Sequence, residues 1–338
     1  MPWEWRARGK TLKTPSKQAL CFLALSALIC GCTATPEGTE EARAFYILHF
    51  QPPIVVEAAP ARPLKGSFSL ANNTRRVGLA DMQPIVPAFD GRGRLLASWN
   101  PHPRGAAGRP TFVIVHGGHG LVTTNFATAL WLRDTLGGNT LILDSYWSRG
   151  REENWRTYTE FGANMRALDA IAAGQWLRDV QRTDPDRTFL FGDSQGGWTV
   201  LRTFTDELFL RMHAPALYRG GIALYPNCQT NGTPEQPRLG PYTRPVVIFT
   251  GGLDDATSIS QCATSIFRQA SAWTHYPDQT HGWDTANRGA HTPAVDGECN
   301  RAMNIYNRFP VCRSDRTTAD MRARIAAFIN APSASPTD

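Results

Sequence analysis

The chain has 338 residues, 42% of them apolar, 10% aromatic and 19% charged, the composition of a globular protein able to bury one large core. Its formal charge of +6 is concentrated at the start, where Arg6, Arg8, Lys10, Lys13 and Lys17 against Glu4 give residues 1–31 a net +4. The remainder is near +2, too little to indicate a nucleic-acid partner, and one domain with small extensions is expected.

Residues 1–31 have the layout of an export signal: a basic start, the apolar run "ALCFLALSALI" from Ala19 to Ile29, then small residues. That run is too short for a permanent membrane helix, which takes roughly 20 apolar residues. The four residues before Thr33, "ICGC", resemble the lipobox of bacterial lipoproteins, with Cys32 as the lipidated residue. The resemblance implies a mature chain that starts at Cys32, exported and held by acyl chains on the periplasmic or outer side of a membrane. A plain secretory signal cut nearby is the alternative. Residues 32–64, rich in Pro, Ala and Glu around "PPIVVEAAPARP", read as a tether, 65–332 as the folded domain, and 333–338 as a disordered tail.

Cys21, Cys30 and Cys32 belong to the signal, which leaves Cys228, Cys262, Cys299 and Cys312. An even number in an exported chain points to disulfides, and four cysteines allow three pairings. Cys228 with Cys262 and Cys299 with Cys312 is the favoured one. None of the four forms a close zinc-ribbon pair, so no metal is expected.

Within the domain, "MQPIVPAFD", the turn "DGRG" and "RLLASWNP" predict a hairpin. "TFVIVHGG", "TLILDSY", "RTFLFGDS", "RGGIALYPNC", "RPVVIFTGGLDD" and "SAWTHYPDQTHGW" read as further strands. Between them, "TNFATALWLRDTL", "FGANMRALDAIAAGQWLRDV", "GGWTVLRTFTDELFL" and "ISQCATSIFRQA" have helical spacing, and "TTADMRARIAAFI" closes the chain as a helix. Strands alternating with helices predict an α/β fold, a mostly parallel sheet wound on both faces. Its chemistry belongs at the C-terminal ends of the strands.

Gly192, Ser194 and Gly196 fit G-x-S-x-G, in which a serine sits on a sharp strand-to-helix turn and the glycines avoid collisions a Cβ would cause. The match falls between a buried strand and a helix, the context such an elbow needs. A serine hydroxyl needs a base, and the base needs a carboxylate to orient it. In this kind of fold the order is Ser, acid, His. Asp254, just past "PVVIF", and His281, just past "WTHY", supply them at later strand ends, with adjacent Asp255 as a rival acid. "HGGHG" after the first buried strand marks an oxyanion loop, whose Gly117 and Gly118 would act with the backbone N–H of Gln195. The side chains of His116 and His119 are expected to pack or hydrogen-bond locally. Asp193 is expected to turn away from the pocket.

Arg149, in "SYWSRG", and Trp147 are candidates for touching substrate, the arginine through a carboxylate. The plainer readings have Arg149 fixing its own loop and Trp147, Trp198 and Trp283 packing in the core. The loop from Asn227 to Pro245 is the candidate cover, too short for a lid domain.

Taken together, "VIVHGGHG", "LILDSYWSRG", "MRALDAIAAGQWL", "FGDSQGG", "ALYPNC", "TGGLDDATSISQC" and "YPDQTHGWD" resemble the dienelactone hydrolase family, in the same order, from about Met82 to Ile329. The resemblance implies an α/β-hydrolase fold without a large lid domain and a triad of Ser194, Asp254 and His281. It also implies proximity of Cys228 and Cys262. Founding members carry a cysteine at the elbow, so Ser194 sets this chain nearer a serine-bearing branch. The expectation is a serine hydrolase of carboxylic esters or lactones, needing no cofactor and touching a membrane only through its lipid anchor. Two rivals are a peptidase of related fold, which predicts an extra domain restricting access, and a catalytically silent binding protein on the cell surface.

Overall fold

The computed structural model of the chain describes residues 82–151, 162–228, 239–257, 259, 264–284 and 313–332. The signal and tether, Cys32, Cys262, Cys299, Cys312, the tail and most of the candidate cover lie outside the described residues.

Eight strands form one sheet: β1 (Gln83–Pro87), β2 (Arg94–Asn100), β3 (Thr111–Val115), β4 (Asn139–Leu143), β5 (Thr188–Asp193), β6 (Gly220–Leu224), β7 (Val246–Gly251) and β8 (Ala272–Tyr276). Their order across the sheet is β1-β2-β4-β3-β5-β6-β7-β8. The expected hairpin forms β1 and β2, which pair antiparallel, as do β2 and β4. The remaining pairs are parallel. Every residue of β3, β4, β6 and β7 is buried, as in strands covered on both faces. The edge strands β1 and β8 are largely exposed or half-buried.

The described helices are α1 (Thr123–Asp134), α2 (Ala163–Asp179), α3 (Gln195–Thr203), α4 (Leu208–His213), α5 (Thr264–Arg268) and α6 (Asp315–Asn330). "GGWTVLRTFTDELFL", expected as one helix, is two, α3 and α4. The chain breaks at Phe204, where Thr205 bridges to Tyr242 and the Asp206 N–H donates to Pro241 O at 2.7 Å. A tertiary contact has captured backbone groups that would otherwise continue the helix.

Helix α2 is buried almost all round and carries three polar side chains that each reach another element: Asn164 to Arg202, Arg166 to His116, and Asp169 to Arg149. Helix α6 lays Met321, Ile325 and Ile329, one helical stripe, into the core. Ser314 caps it by accepting from the Thr317 N–H at 3.2 Å.

Strand β3 lies between β4 and β5, so successive crossovers run in opposite directions from it. The loops after β3 and β5 therefore flank a crevice at the C-terminal edge. Val115 pairs with Gly192, which brings the His116 loop beside the turn at Ser194.

Candidate active site

Ser194 occupies the turn between β5 and α3 with φ 54° and ψ −117°. A non-glycine residue in this region carries strain of order 1–3 kcal/mol and persists only where its surroundings enforce it. Here the Ser194 N–H donates to Leu224 O at 2.9 Å, while its carbonyl accepts from Trp198 and Asn227, each at 3.0 Å. The flanking glycines are required sterically. A Cβ on Gly192 would lie 2.2 Å from Gly196 O, and one on Gly196 would lie 2.2 Å from Val115 O.

His281 follows β8 and Asp254 follows β7. Their side chains meet with His281 Nδ1 2.9 Å from Asp254 Oδ2. The Ala256 and Thr257 N–H groups donate to Asp254 Oδ1 at 2.9 and 2.8 Å. Thr257 Oγ1 lies 2.8 Å from Asp254 Oδ2 and 3.0 Å from Tyr225 O. Asp254 is buried and the rival Asp255 is exposed, so the loop itself chooses between the two carboxylates. Burial opposes the charge on Asp254, but His281 and the Thr257 donors outweigh it and hold the carboxyl below its ordinary pKa. Burial likewise opposes a proton on His281, yet the charges of Asp254, Asp193 and Asp284 raise the ring above its ordinary value.

The Tyr225 ring packs edge-on against His281 at 4.6 Å and against Trp283 at 5.0 Å, and its hydroxyl donates to Asp284 at 2.7 Å. Asp193 is taken up in the structure beside the elbow, and its charge is also felt at the base. Its Oδ1 accepts from Asn125 Nδ2 at 3.1 Å, its Oδ2 lies against Gly117, and its charge reaches His281. Burial and then the neighbouring Asp284 push its carboxyl up to about 7.

Gly117 and Gly118 are buried against Asp193, Ser194 and the Gln195 side chain. Among the described residues, neither glycine N–H donates to a protein acceptor. Two such donors beside the serine can receive a developing negative charge. His116 engages locally as expected: its Nδ1 lies 2.8 Å from Gly117 O, and its Nε2 accepts from the Ser145 N–H at 3.2 Å.

Arg149 is taken up inside the fold. Its two terminal nitrogens donate to the two Asp169 oxygens, each at 2.9 Å, and Nη1 also to Ser145 O at 2.8 Å. The geometry is that of the loop anchor rather than of a group offered to substrate. Trp147 is half-buried and packs against the main core, while Trp198 and Trp283 are buried. Cys228 is buried, and the residues it was expected to pair with or neighbour lie outside the described ones.

Sequence reasoning passed over Thr257, Tyr225, Asp284, Tyr146 and Arg166. Arg166 alone had a visible signal, a charge in the middle of the mostly apolar "ANMRALDAIAAG". The others are ordinary residues made relevant by loop geometry.

No family model and no curated protein matches the sequence. Solved structures do. A putative dienelactone hydrolase from Klebsiella pneumoniae aligns with a TM-score of 0.51 at 15% identity, over 72% of this chain and 95% of its own. A dienelactone hydrolase-like promiscuous phosphotriesterase, P91, from metagenomic libraries aligns with a TM-score of 0.51 at 15% identity, over 80% and 98%. The strand order, the mixed sheet and these neighbours together give the chain the α/β-hydrolase fold.

Proposed function

We propose that the chain is a serine hydrolase that cleaves carboxylic esters or lactones through an acyl-enzyme on Ser194. The observation that carries the reading is a serine with φ 54° at the β5–α3 turn, on the sheet edge where His281 and Asp254 pair at 2.9 Å. Ser194 Oγ attacks the substrate carbonyl and passes its proton to His281 Nε2. Asp254 accepts from Nδ1–H, fixes the tautomer and stabilises the imidazolium. The N–H groups of Gln195, Gly117 and Gly118 receive the oxyanion. His281 then protonates the leaving alkoxide, and water, deprotonated by His281, releases the acid and restores the serine.

The basic and apolar N-terminal run supports export, and "ICGC" supports acylation at Cys32, with the enzyme held on the periplasmic or outer side of a bacterial membrane. Four cysteines beyond the signal support two disulfides in that compartment, Cys228 with Cys262 and Cys299 with Cys312. Mass spectrometry of the exported N-terminus tests the anchor; a free, unacylated terminus elsewhere rejects it.

The test of function is turnover of p-nitrophenyl acetate by the purified protein, together with fluorophosphonate labelling. Replacing Ser194→Ala is expected to abolish labelling and to lower kcat by about 10⁴–10⁶-fold. Full turnover by that variant would sink the proposal.

A further inference from the structure

Three arginines are buried in the described core: Arg149, Arg166 and Arg202. Arg149 is neutralised by Asp169, and Arg202 by Glu207. Arg166 is different. Among the described residues no carboxylate lies in ion-pair range of it, and its Nε finds no acceptor. Its charge is felt by the buried Asp193 carboxyl, but no ion pair among the described residues fixes it, so what the guanidinium does hold is informative.

It holds the oxyanion loop. Arg166 Nη2 donates to His116 O, and Nη1 lies 3.4 Å from the Tyr146 hydroxyl. In a trans peptide the C=O and the N–H point to opposite sides, so fixing His116 O toward α2 turns the Gly117 N–H away from α2. The next peptide is set in the same way, because His116 Nδ1–H donates to Gly117 O at 2.8 Å and so aims the Gly118 N–H opposite. His116 can do this only as the neutral Nδ1–H tautomer, with Nε2 accepting from Ser145 N–H at 3.2 Å. Burial and then the Arg166 charge hold its pKa well below the ordinary value, which keeps it in that form. On the other flank, the Tyr146 hydroxyl donates to Gln195 Oε1 at 2.5 Å and ties down the residue whose N–H completes the hole.

Resting on the serine-hydrolase reading, we infer that Arg166 is a positioning residue that holds both halves of the oxyanion hole, the glycine loop through His116 and the elbow through Tyr146 and Gln195. Its charge, in ion-pair contact with no carboxylate among the described residues, also places a positive field behind the peptides where negative charge develops, offset in part by the Asp193 carboxyl.

The test uses the whole protein, with each variant's sites counted by stoichiometric fluorophosphonate labelling so that kcat is expressed per titrated serine. Arg166→Met is expected to lower that kcat about 100-fold with KM for p-nitrophenyl acetate within about 3-fold, since the donors act mainly in the transition state. Arg166→Lys, which keeps the charge and one donor, is expected to recover about 10-fold of the loss. Tyr146→Phe, which leaves Arg166 and its buried charge in place, is expected to lose about 10-fold and serves if Arg166→Met does not fold. An unchanged kcat per titrated site in Arg166→Met, or in Tyr146→Phe where only that variant folds, overturns the inference and leaves the role of Ser194 standing. A parent protein with no titratable serine overturns both.

Discussion

At the elbow, a methyl group on Gly192 or Gly196 would fall 2.2 Å from a backbone oxygen, and Ser194 is clamped through its own N–H and C=O. At the end of β7 and β8, Asp254 and His281 are held instead by hydrogen bonds to the Asp254 carboxylate at 2.8 to 2.9 Å, from His281, Thr257 Oγ1 and two backbone N–H groups, and by the charges of Asp193 and Asp284. The first half of the site is a matter of shape and the second a matter of charge. Steric change should therefore break one half by unfolding it, whereas charge change should retune the other with the fold intact.

Beyond Ser194 itself, the largest expected effect is at the charged half. Asp254→Asn preserves the shape but removes the charge that orients His281, and kcat should fall by about 10⁴-fold. Asp255→Asn, at an exposed position, should stay within about 2-fold. Equal losses in the two variants would mean that the loop does not discriminate between the carboxylates. Gly192→Ala strikes the shape half, where the contact is with backbone and cannot be relieved by a rotamer change. A loss of about 3–5 kcal/mol in urea-unfolding free energy is expected, and a melting temperature equal to the parent's would contradict the steric account.

Arg149→Met tests the boundary between site and scaffold. It strands the buried Asp169 carboxylate, so stability should drop by about 3–5 kcal/mol while KM for a small ester stays within about 2-fold. A KM that rises tenfold with stability unchanged would return Arg149 to the substrate.

The smallest effect is the most specific. The Asp193 carboxylate favours the imidazolium of His281, so Asp193→Asn lowers the His281 pKa and makes the neutral base available at lower pH. The acid limb of kcat/KM should move down by at most about one pH unit, because burial and Asp284 push the Asp193 carboxyl up to about 7 and so limit its charge below neutral pH. A limb that moves upward, or not at all, would remove Asp193 from the electrostatics of the site.

Much of this arrangement was legible from residue order. The buried runs of β3 to β7 announced a sheet covered on both faces, and the hairpin of β1 and β2 showed in two apolar segments around "DGRG". Strand-end placement also assigned Ser194, Asp254 and His281 to one edge from residue order alone. The single long helix expected after Ser194 was not found, because a contact with Tyr242 and Pro241 competes for its backbone. Propensity carries no term for such a partner.

Local patterning determined the element sequence, the glycine elbow and the order of the three candidate catalytic residues, since periodicity and turn chemistry act over a few neighbours. Only the tertiary structure decided that Asp254 rather than Asp255 faces His281, that Arg149 is spent on Asp169 20 residues away, and that Arg166 reaches His116 50 residues away. Those outcomes depend on loop conformation and on which side chains the folded sheet and its helices bring into contact, and neither is encoded in any short window of sequence.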